Sequence, residues 1–213
     1  MKKDDRKSIY RYTIGEDIAN SISHGLGFIF SYIAMIVLIY LADNPLEVIG
    51  FSIYGIGMQL MFLSSTLYHA IFHDMTRTIL KKIDHSMIFI FIFATYVPYT
   101  IFLGTNKAYI ILAIVGISGI LGIVLKVFLA GKFKKISTLI YVIVGWAAIM
   151  EIRDMYLVFP KESFYLLLAG GITYSIGAIV YALSKFKYHH FIWHIFVFVA
   201  AILQFYSIYI LFR

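Results

Sequence analysis

Long stretches without a charged side chain dominate this sequence. Seven such apolar stretches are bounded by Asp, Glu, Lys or Arg, and most approach the roughly 20 residues that a helix needs to cross a bilayer. Of the 213 residues, 62% are apolar and only 14% are charged, whereas about a quarter of an ordinary soluble domain is charged. A soluble domain of this size could not bury so much apolar surface. The sequence therefore predicts an all-α membrane protein and excludes soluble single-domain classes.

The seven stretches predict a seven-transmembrane helix bundle that forms a single domain over residues 1–213. The fifth stretch is the weakest, because it must continue past Glu151, Arg153 and Asp154 to become long enough to cross. Connections between the stretches are short, and none is a Gly/Ser-rich or Pro-rich linker. The approximate predicted spans are 18–42, 48–72, 85–105, 108–127, 136–158, 163–184 and 189–212.

The basic residues indicate how the bundle is oriented. With the N-terminus in the cytoplasm, all but four of the 18 Lys and Arg residues fall on the cytoplasmic side, so the positive-inside rule places the C-terminus outside the plasma membrane. The charged start MKKDDRK argues against a removable signal peptide. Topology accounts for the net charge of +7, so we expect no nucleic-acid partner. The four basic residues left outside are Lys107, Arg153, Lys161 and Arg213.

All seven histidines lie toward the predicted cytoplasmic ends of the spans. The acids at the same level include Glu16, Asp17, Asp74 and Asp84. Ionisable groups at membrane depth are rare and usually functional, because an unpaired one is costly there. This clustering predicts one shared site. The histidines are His24, His69, His73, His85, His189, His190 and His194.

The spacing of three of these histidines is typical of a metal site. His190 and His194 are four residues apart and therefore share one face of a helix, and His69 lies one turn after Ser65. Three imidazoles with an open fourth position are typical of catalytic zinc, and cysteine ligands are excluded because the chain has no cysteine. Copper or nickel would compete for the same ligands. Asp84 brings a carboxylate to the same level from the third span.

Each of these residues also has an ordinary interpretation. His190 and His194 could be interfacial histidines among aromatic side chains, and His69 could be a hydrogen-bonded histidine of the bundle. Ser65 could bond the carbonyl one turn back, while Asp84 could simply cap the third span. The prediction of a site rests on their coincidence.

Three segments resemble the haemolysin-III family. They are SSTLYH at 64–69, IDH at 83–85 and HFIWHIFV at 190–197, and the likeness extends from Glu16-x-x-x-Asn20-x-x-x-His24 to the end of the seventh span. This family is the bacterial branch of the progestin and adipoQ receptors, and it is grouped with alkaline ceramidases among seven-helix membrane hydrolases.

The resemblance implies a zinc ion held by His69, His190 and His194 near the cytoplasmic side, with Ser65 and Asp84 as the other two signature residues. From these roles we expect zinc-assisted hydrolysis of an amide or ester in a membrane lipid. Asp84 would orient a water and accept its proton, and Ser65 would hydrogen-bond the water or the oxyanion. Candidates for supporting positions around the metal are Glu16, Asn20, His24, His73 and His85.

Two other functions stay open at this point. The zinc could be structural in a receptor or regulator, tying three spans together around a membrane ligand. The family name also suggests a cytolytic protein, although the chain has no amphipathic insertion segment of the kind a self-inserting toxin needs. Which lipid binds is not encoded in the hydropathy pattern, because that pattern does not fix helix rotation.

Overall fold

A computed structural model describes residues 12–128, 134–183 and 186–213. Every regular element in these ranges is helical, which confirms the predicted all-α class. The α-helices are α1 (Ile14–Leu41), α2 (Pro45–Ala70), α3 (Asp74–Leu103), α4 (Asn106–Phe128), α5 (Lys134–Gly145), α6 (Ile152–Val158), α7 (Lys161–Leu183) and α8 (His189–Leu211), with a 3₁₀ helix, Trp146–Glu151, between α5 and α6.

Six of the helices are long and apolar enough to cross a membrane, namely α1, α2, α3, α4, α7 and α8. Large apolar side chains lie exposed along their outer faces, as on Ile33, Ile117 and Ile179. In a bilayer, such faces contact lipid and not water. The chain is therefore a multi-pass membrane protein.

The fifth predicted span, 136–158, is not one regular helix. It is divided into α5, the 3₁₀ helix and α6, and a 3₁₀ stretch inside a helical segment often marks a strained or functional position. Near its start, the Tyr141 hydroxyl donates to the carbonyl oxygen of His85 at 2.8 Å. Near its end, Asp154 pairs with Lys107 at the beginning of α4, with Nζ and Oδ2 3.1 Å apart. The segment thus runs from one end of the bundle to the other.

The third helix begins at Asp74, well before the predicted start at residue 85. The prediction placed the boundary at the last charged residue, but the charged turns before it are helical too. The His73 side chain accepts a hydrogen bond from the backbone N–H of Thr76 and caps this start. One cation of these turns, Arg77, is fully buried against α1 and α2. The predicted boundary assumes that charged residues lie in water or among headgroups. Arg77 instead forms an ion pair with Asp17 inside the bundle.

Each of α1, α2 and α3 packs against the helix that follows it, α7 packs against α8, and α8 closes the bundle by contacting α1 and α3 as well. We call the end where α1, α3 and α8 begin and α2 ends the histidine end. The core on the other side of the bundle's midpoint is aromatic and aliphatic, and it includes Leu38, Phe51, Tyr54, Met58, Phe205 and Ile208. The histidine end instead buries polar and charged side chains, including Asp17, Asn20, His69, Arg77, His190 and His194.

Candidate metal centre

Three imidazoles converge at the histidine end. The last turn of α2 carries His69, and the first two turns of α8 carry His190 and His194. The Nε2 atom of His190 lies 3.2 Å from Nε2 of His69 and 3.1 Å from Nε2 of His194. All three side chains are buried, and their ligand atoms lie within 4.8 Å of one another. This cluster could bind a metal ion.

Neighbouring acceptors fix the protons of two of these rings. Nδ1 of His69 lies 2.8 Å from Oδ1 of Asp17, and Nδ1 of His194 lies 3.2 Å from the backbone carbonyl oxygen of Asn20. An ionised carboxylate and a carbonyl oxygen only accept hydrogen bonds, so each Nδ1 carries the proton in the neutral ring. The Nε2 atoms of both rings then present lone pairs toward His190. A single Nε2 proton on His190 could satisfy only one of these two lone pairs, whereas a cation satisfies all three Nε2 atoms, so the residues fit a metal.

Arg77 forms an ion pair with the Asp17 carboxylate that contacts His69. Its guanidinium lies 2.6 Å from Oδ2 of Asp17, and both side chains are at most 1% exposed. The guanidinium also lies over the Tyr68 ring, 5.2 Å from its centroid. The carboxylate of Asp17 therefore joins a metal-facing histidine on α2 to a cation on α3.

A cavity of about 160 Å³ opens beside the histidines. Ser65 and Asp84 line it together with His190 and His194, whereas His69 lies behind this lining. The buried hydroxyl of Ser65 makes no hydrogen bond of ordinary geometry, and its polar neighbour is the carboxylate of Asp84. Asp84 is partly buried, with 13% of its side chain exposed. The two residues that sequence predicts to act on the substrate thus face the same cavity as two of the imidazoles.

The structure brings three of the predicted supporting residues to the centre. The backbone carbonyl oxygen of Asn20 accepts from Nδ1 of His194, and the side chain of Asn20 lies beside the His69 ring, with Nδ2 3.4 Å from Nδ1. The ring of His24 stacks on His194, with centroids 3.5 Å apart, and lines the cavity. His85 lines the cavity as well, while its Nδ1 bonds the carbonyl oxygen of Lys81 at 2.7 Å.

The other two predicted supporting residues lie elsewhere. Glu16 forms a capping box with Thr13 at the start of α1, and its Oε1 also accepts from the backbone N–H of Tyr188 at 2.8 Å. It thereby ties the start of α1 to the turn before α8, where Tyr188 has a left-handed backbone. His73 is exposed and caps α3, so it is not part of the cluster.

Three residues at the centre were not predicted as site residues. In the sequence, Asp17 is only one of several acids near the predicted level of the histidines, although its position three residues before Asn20 places both on one helix face. Nothing in the sequence distinguishes Arg77 from the other basic residues on the predicted cytoplasmic side. Tyr12 stacks on His190, with ring centroids 4.8 Å apart, and covers the centre from the side of the N-terminus; no spacing pattern in the sequence points to it.

Fold and centre together define a class: a multi-pass helical membrane protein with three imidazoles gathered beside an interior cavity. Comparison of the sequence with known protein families identifies the family within that class. The sequence model described as "Haemolysin-III related" matches residues 12–205. The chain belongs to the haemolysin-III family, as its motifs predict.

Similar proteins cover most of this chain. It is 41% identical to a protein of Bacillus subtilis (strain 168) named "Hemolysin-3 homolog", over 87% of this chain and 89% of that protein. It is 39% identical to "Hemolysin-3" of Bacillus cereus, over 92% of this chain and 91% of that protein. A more distant similarity, 25% identity over 93% of this chain and 85% of the relative, is to the human "Monocyte to macrophage differentiation factor". That distant likeness supports the predicted link to the adipoQ receptor family.

Proposed function

We propose that this protein is a zinc-dependent hydrolase that cleaves an amide or ester bond in a membrane lipid. One observation carries the proposal: three Nε2 atoms converge beside a cavity that Ser65, Asp84 and two of the three histidines line. Three histidine ligands leave a coordination position open, as catalytic zinc sites do and structural sites do not. His69, His190 and His194 would hold the ion, and a bound zinc would polarise a carbonyl and acidify its bound water.

Asp84 and Ser65 are the groups that would act on the reacting atoms. The Asp84 carboxylate would accept the proton of the attacking water and then deliver it to the leaving nitrogen or oxygen. Ser65, whose hydroxyl makes no hydrogen bond of ordinary geometry, would donate to the carbonyl oxygen as negative charge develops on it. Water is added across the bond that breaks, so the products are a carboxylic acid and an amine or alcohol.

The lining of the cavity supports a lipid as the substrate. Beyond the histidine end, the lining is mostly apolar and includes Met61, Phe91, Leu167 and Val197. A smaller adjoining cavity of about 50 Å³ shares Gln204 with it and is bordered by Ile149, which is largely exposed on the outer face of the bundle. Burial of a hydrocarbon chain against such a lining is favourable. The acyl part of a lipid would fill it.

The proposal includes the orientation of the chain. It crosses the plasma membrane seven times, with the segment from Lys134 to Val158 as the fifth crossing, the N-terminus in the cytoplasm and the C-terminus outside. The contacts of this segment with both ends of the bundle support its crossing and hence a total of seven, and the distribution of Lys and Arg supports the orientation. The metal centre then lies near the cytoplasmic side.

Metal content and turnover test the proposal together. We expect about one zinc per chain in the purified protein and none in the His190→Ala/His194→Ala variant, measured by elemental analysis. Asp84→Asn and Ser65→Ala should keep zinc and lose at least about 100-fold in turnover of fluorescent lipid amides and esters. His73→Ala, an exposed histidine away from the cluster, is the control and should match wild type in both assays. Full turnover by Asp84→Asn would overturn the catalytic assignment.

The names of the relatives define two alternatives that the same preparation can test. A lytic protein, as "Hemolysin-3" suggests, would release dye from liposomes that contain it, and we expect no release above that of empty liposomes. A receptor or regulator with structural zinc would lose thermal stability on chelation without catalysing any reaction. Zinc binding with no turnover on any lipid amide or ester would favour that second alternative.

A further inference from the structure

Two buried polar groups at the far end of the cavity have no hydrogen-bond partner. They are Oε1 of Gln204 on α8 and the hydroxyl of Tyr174 on α7, and no described residue bonds either of them. Both residues line the cavity. An unpaired polar group is costly in an apolar interior, and more so inside a bilayer where water cannot compensate it. These two groups therefore point to a polar ligand atom between α7 and α8.

The two groups lie deep in the bundle, away from the metal centre. Gln204 follows His194 by ten residues on α8, which separates them by about 15 Å along the helix axis. Nearby, the Tyr99 hydroxyl donates to the backbone carbonyl oxygen of Gln204 at 3.4 Å, so it is already engaged and leaves Oε1 of Gln204 unpaired. A molecule that reached from the metal centre to Gln204 would have its scissile bond at the histidines. Its second polar atom would lie about 15 Å away along a hydrocarbon chain.

The chemistry of the two groups selects a neutral hydrogen-bonding partner. Oε1 of Gln204 can only accept a hydrogen bond, whereas the Tyr174 hydroxyl can donate one. A single hydroxyl can donate to the first and accept from the second at the same time. The charged side chains that line the described cavity, Asp84 and Lys126, belong to the histidine end, so this far part offers nothing to balance an ionised ligand group.

We infer that Tyr174 and Gln204 form a distal subsite for a hydroxyl carried on the chain of a lipid. The inference rests on the proposed function in that it takes this chain to be the acyl chain of the substrate. Between the two polar ends, Met61, Phe91 and Val197 contact only the hydrocarbon part. The enzyme would then prefer hydroxylated acyl chains over plain ones of the same length.

Binding of free fatty acids tests the subsite without any reaction. Stearic acid and 12-hydroxystearic acid differ only in a mid-chain hydroxyl, and both resemble the acid that hydrolysis would release. We expect the detergent-purified protein to bind the hydroxylated acid about tenfold more tightly, since it gains two net hydrogen bonds. Native mass spectrometry or displacement of a fluorescent fatty acid measures the ratio, in zinc-loaded and in chelator-treated protein.

Matched variants locate the preference. Tyr174→Phe and Gln204→Met keep the shapes of the side chains, and each should reduce the preference to about twofold or less. Tyr165→Phe, which removes a hydroxyl from an exposed position of the same helix α7, should leave it unchanged. Equal binding of the two acids by wild type, or binding of neither, would overturn the subsite and indicate water at these atoms.

The outcome is separable from that of the proposed function. A preference for the hydroxylated acid with no turnover of any lipid would leave the subsite standing and refute the hydrolase. Turnover of a lipid without a preference for the hydroxylated acid would support the hydrolase and refute the subsite.

Discussion

At the scale of single residues, the least expected feature is the buried contact series from Arg77 through Asp17 to His69. Its two hydrogen bonds, 2.6 and 2.8 Å long, connect α3, α1 and α2. A carboxylate on the distal nitrogen of a metal-binding histidine fixes its tautomer and raises its basicity. Asp17 and Arg77 would therefore position His69 for the proposed metal, and neither residue lines the cavity.

A pair of variants separates this positioning role from simple packing. Arg77→Met alone leaves the Asp17 charge buried without its partner and should cost about 3–5 kcal/mol of stability. The double variant Asp17→Leu/Arg77→Met removes both charges and should recover most of the melting temperature. Its zinc affinity, measured by competition with a chelator, should still be about 10- to 100-fold weaker than wild type. Wild-type affinity in the stable double variant would show that the pair only holds the helices together.

At the scale of elements, helix packing depends on small residues at close contacts. Gly57 on α2 faces α3 so closely that a Cβ atom there would overlap the Cβ of Ala94. The Ala94 methyl is attached directly to the backbone, so it cannot move aside without shifting a helix. Small residues permit such approach between membrane helices, where van der Waals packing drives association.

Substitution of this glycine should loosen the bundle. Gly57→Ala forces α2 and α3 apart and should destabilise the protein by about 1–3 kcal/mol, seen as a lower melting temperature in detergent. Gly25→Ala is the matched control, since a Cβ there would lie an ordinary 3.8 Å from the Thr66 methyl. Equal melting temperatures for both variants would show that the contact between α2 and α3 is not tight.

The 3₁₀ stretch is a second feature at this scale. Trp146 and Gly145 at its start line both the main cavity and the smaller adjoining one. The hydroxyl of Tyr96 on α3 accepts from the backbone N–H of Ala148 at 2.8 Å and donates to the carbonyl oxygen of Gly145 at 2.8 Å. One tyrosine thus satisfies backbone groups that the change from α to 3₁₀ geometry frees.

At the scale of the whole molecule, the number of crossings decides on which side each connection lies. The chain has no cysteine, so single cysteines can be introduced without a background signal. Asp43 and Lys187 are exposed in connections at opposite ends of the bundle. With seven crossings and a cytoplasmic N-terminus, a membrane-impermeant maleimide should label Asp43→Cys in intact cells.

The same reagent should label Lys187→Cys only after the cells are permeabilised. If the segment from Lys134 to Val158 did not cross, Lys187 would lie on the same side as Asp43 and would be labelled in intact cells. Labelling of Lys187→Cys but not Asp43→Cys would instead reverse the whole orientation. A cysteine at Arg213, expected outside, provides an internal check on either result.

The amino-acid sequence is sufficient to predict the class of fold and the family. Apolar length sets which segments can span a bilayer, and six predicted spans are indeed long helices. The four-residue step from His190 to His194 places both on one face of a helix wherever that helix lies, and the motifs around them identify the haemolysin-III family. The roles of Ser65 and Asp84 stay predictions.

Which helix faces meet is visible only once the helices are packed together. Asp17 reaches His69 across 52 positions of sequence, and Asn20 reaches His194 across 174. Hydropathy sets the length of a span but neither its rotation nor its neighbours, because lipid accepts any apolar face equally. That packing determines the burial of Arg77, the early start of α3 and the unpaired groups at the far end of the cavity. None of these three features can be predicted from the hydropathy of single spans.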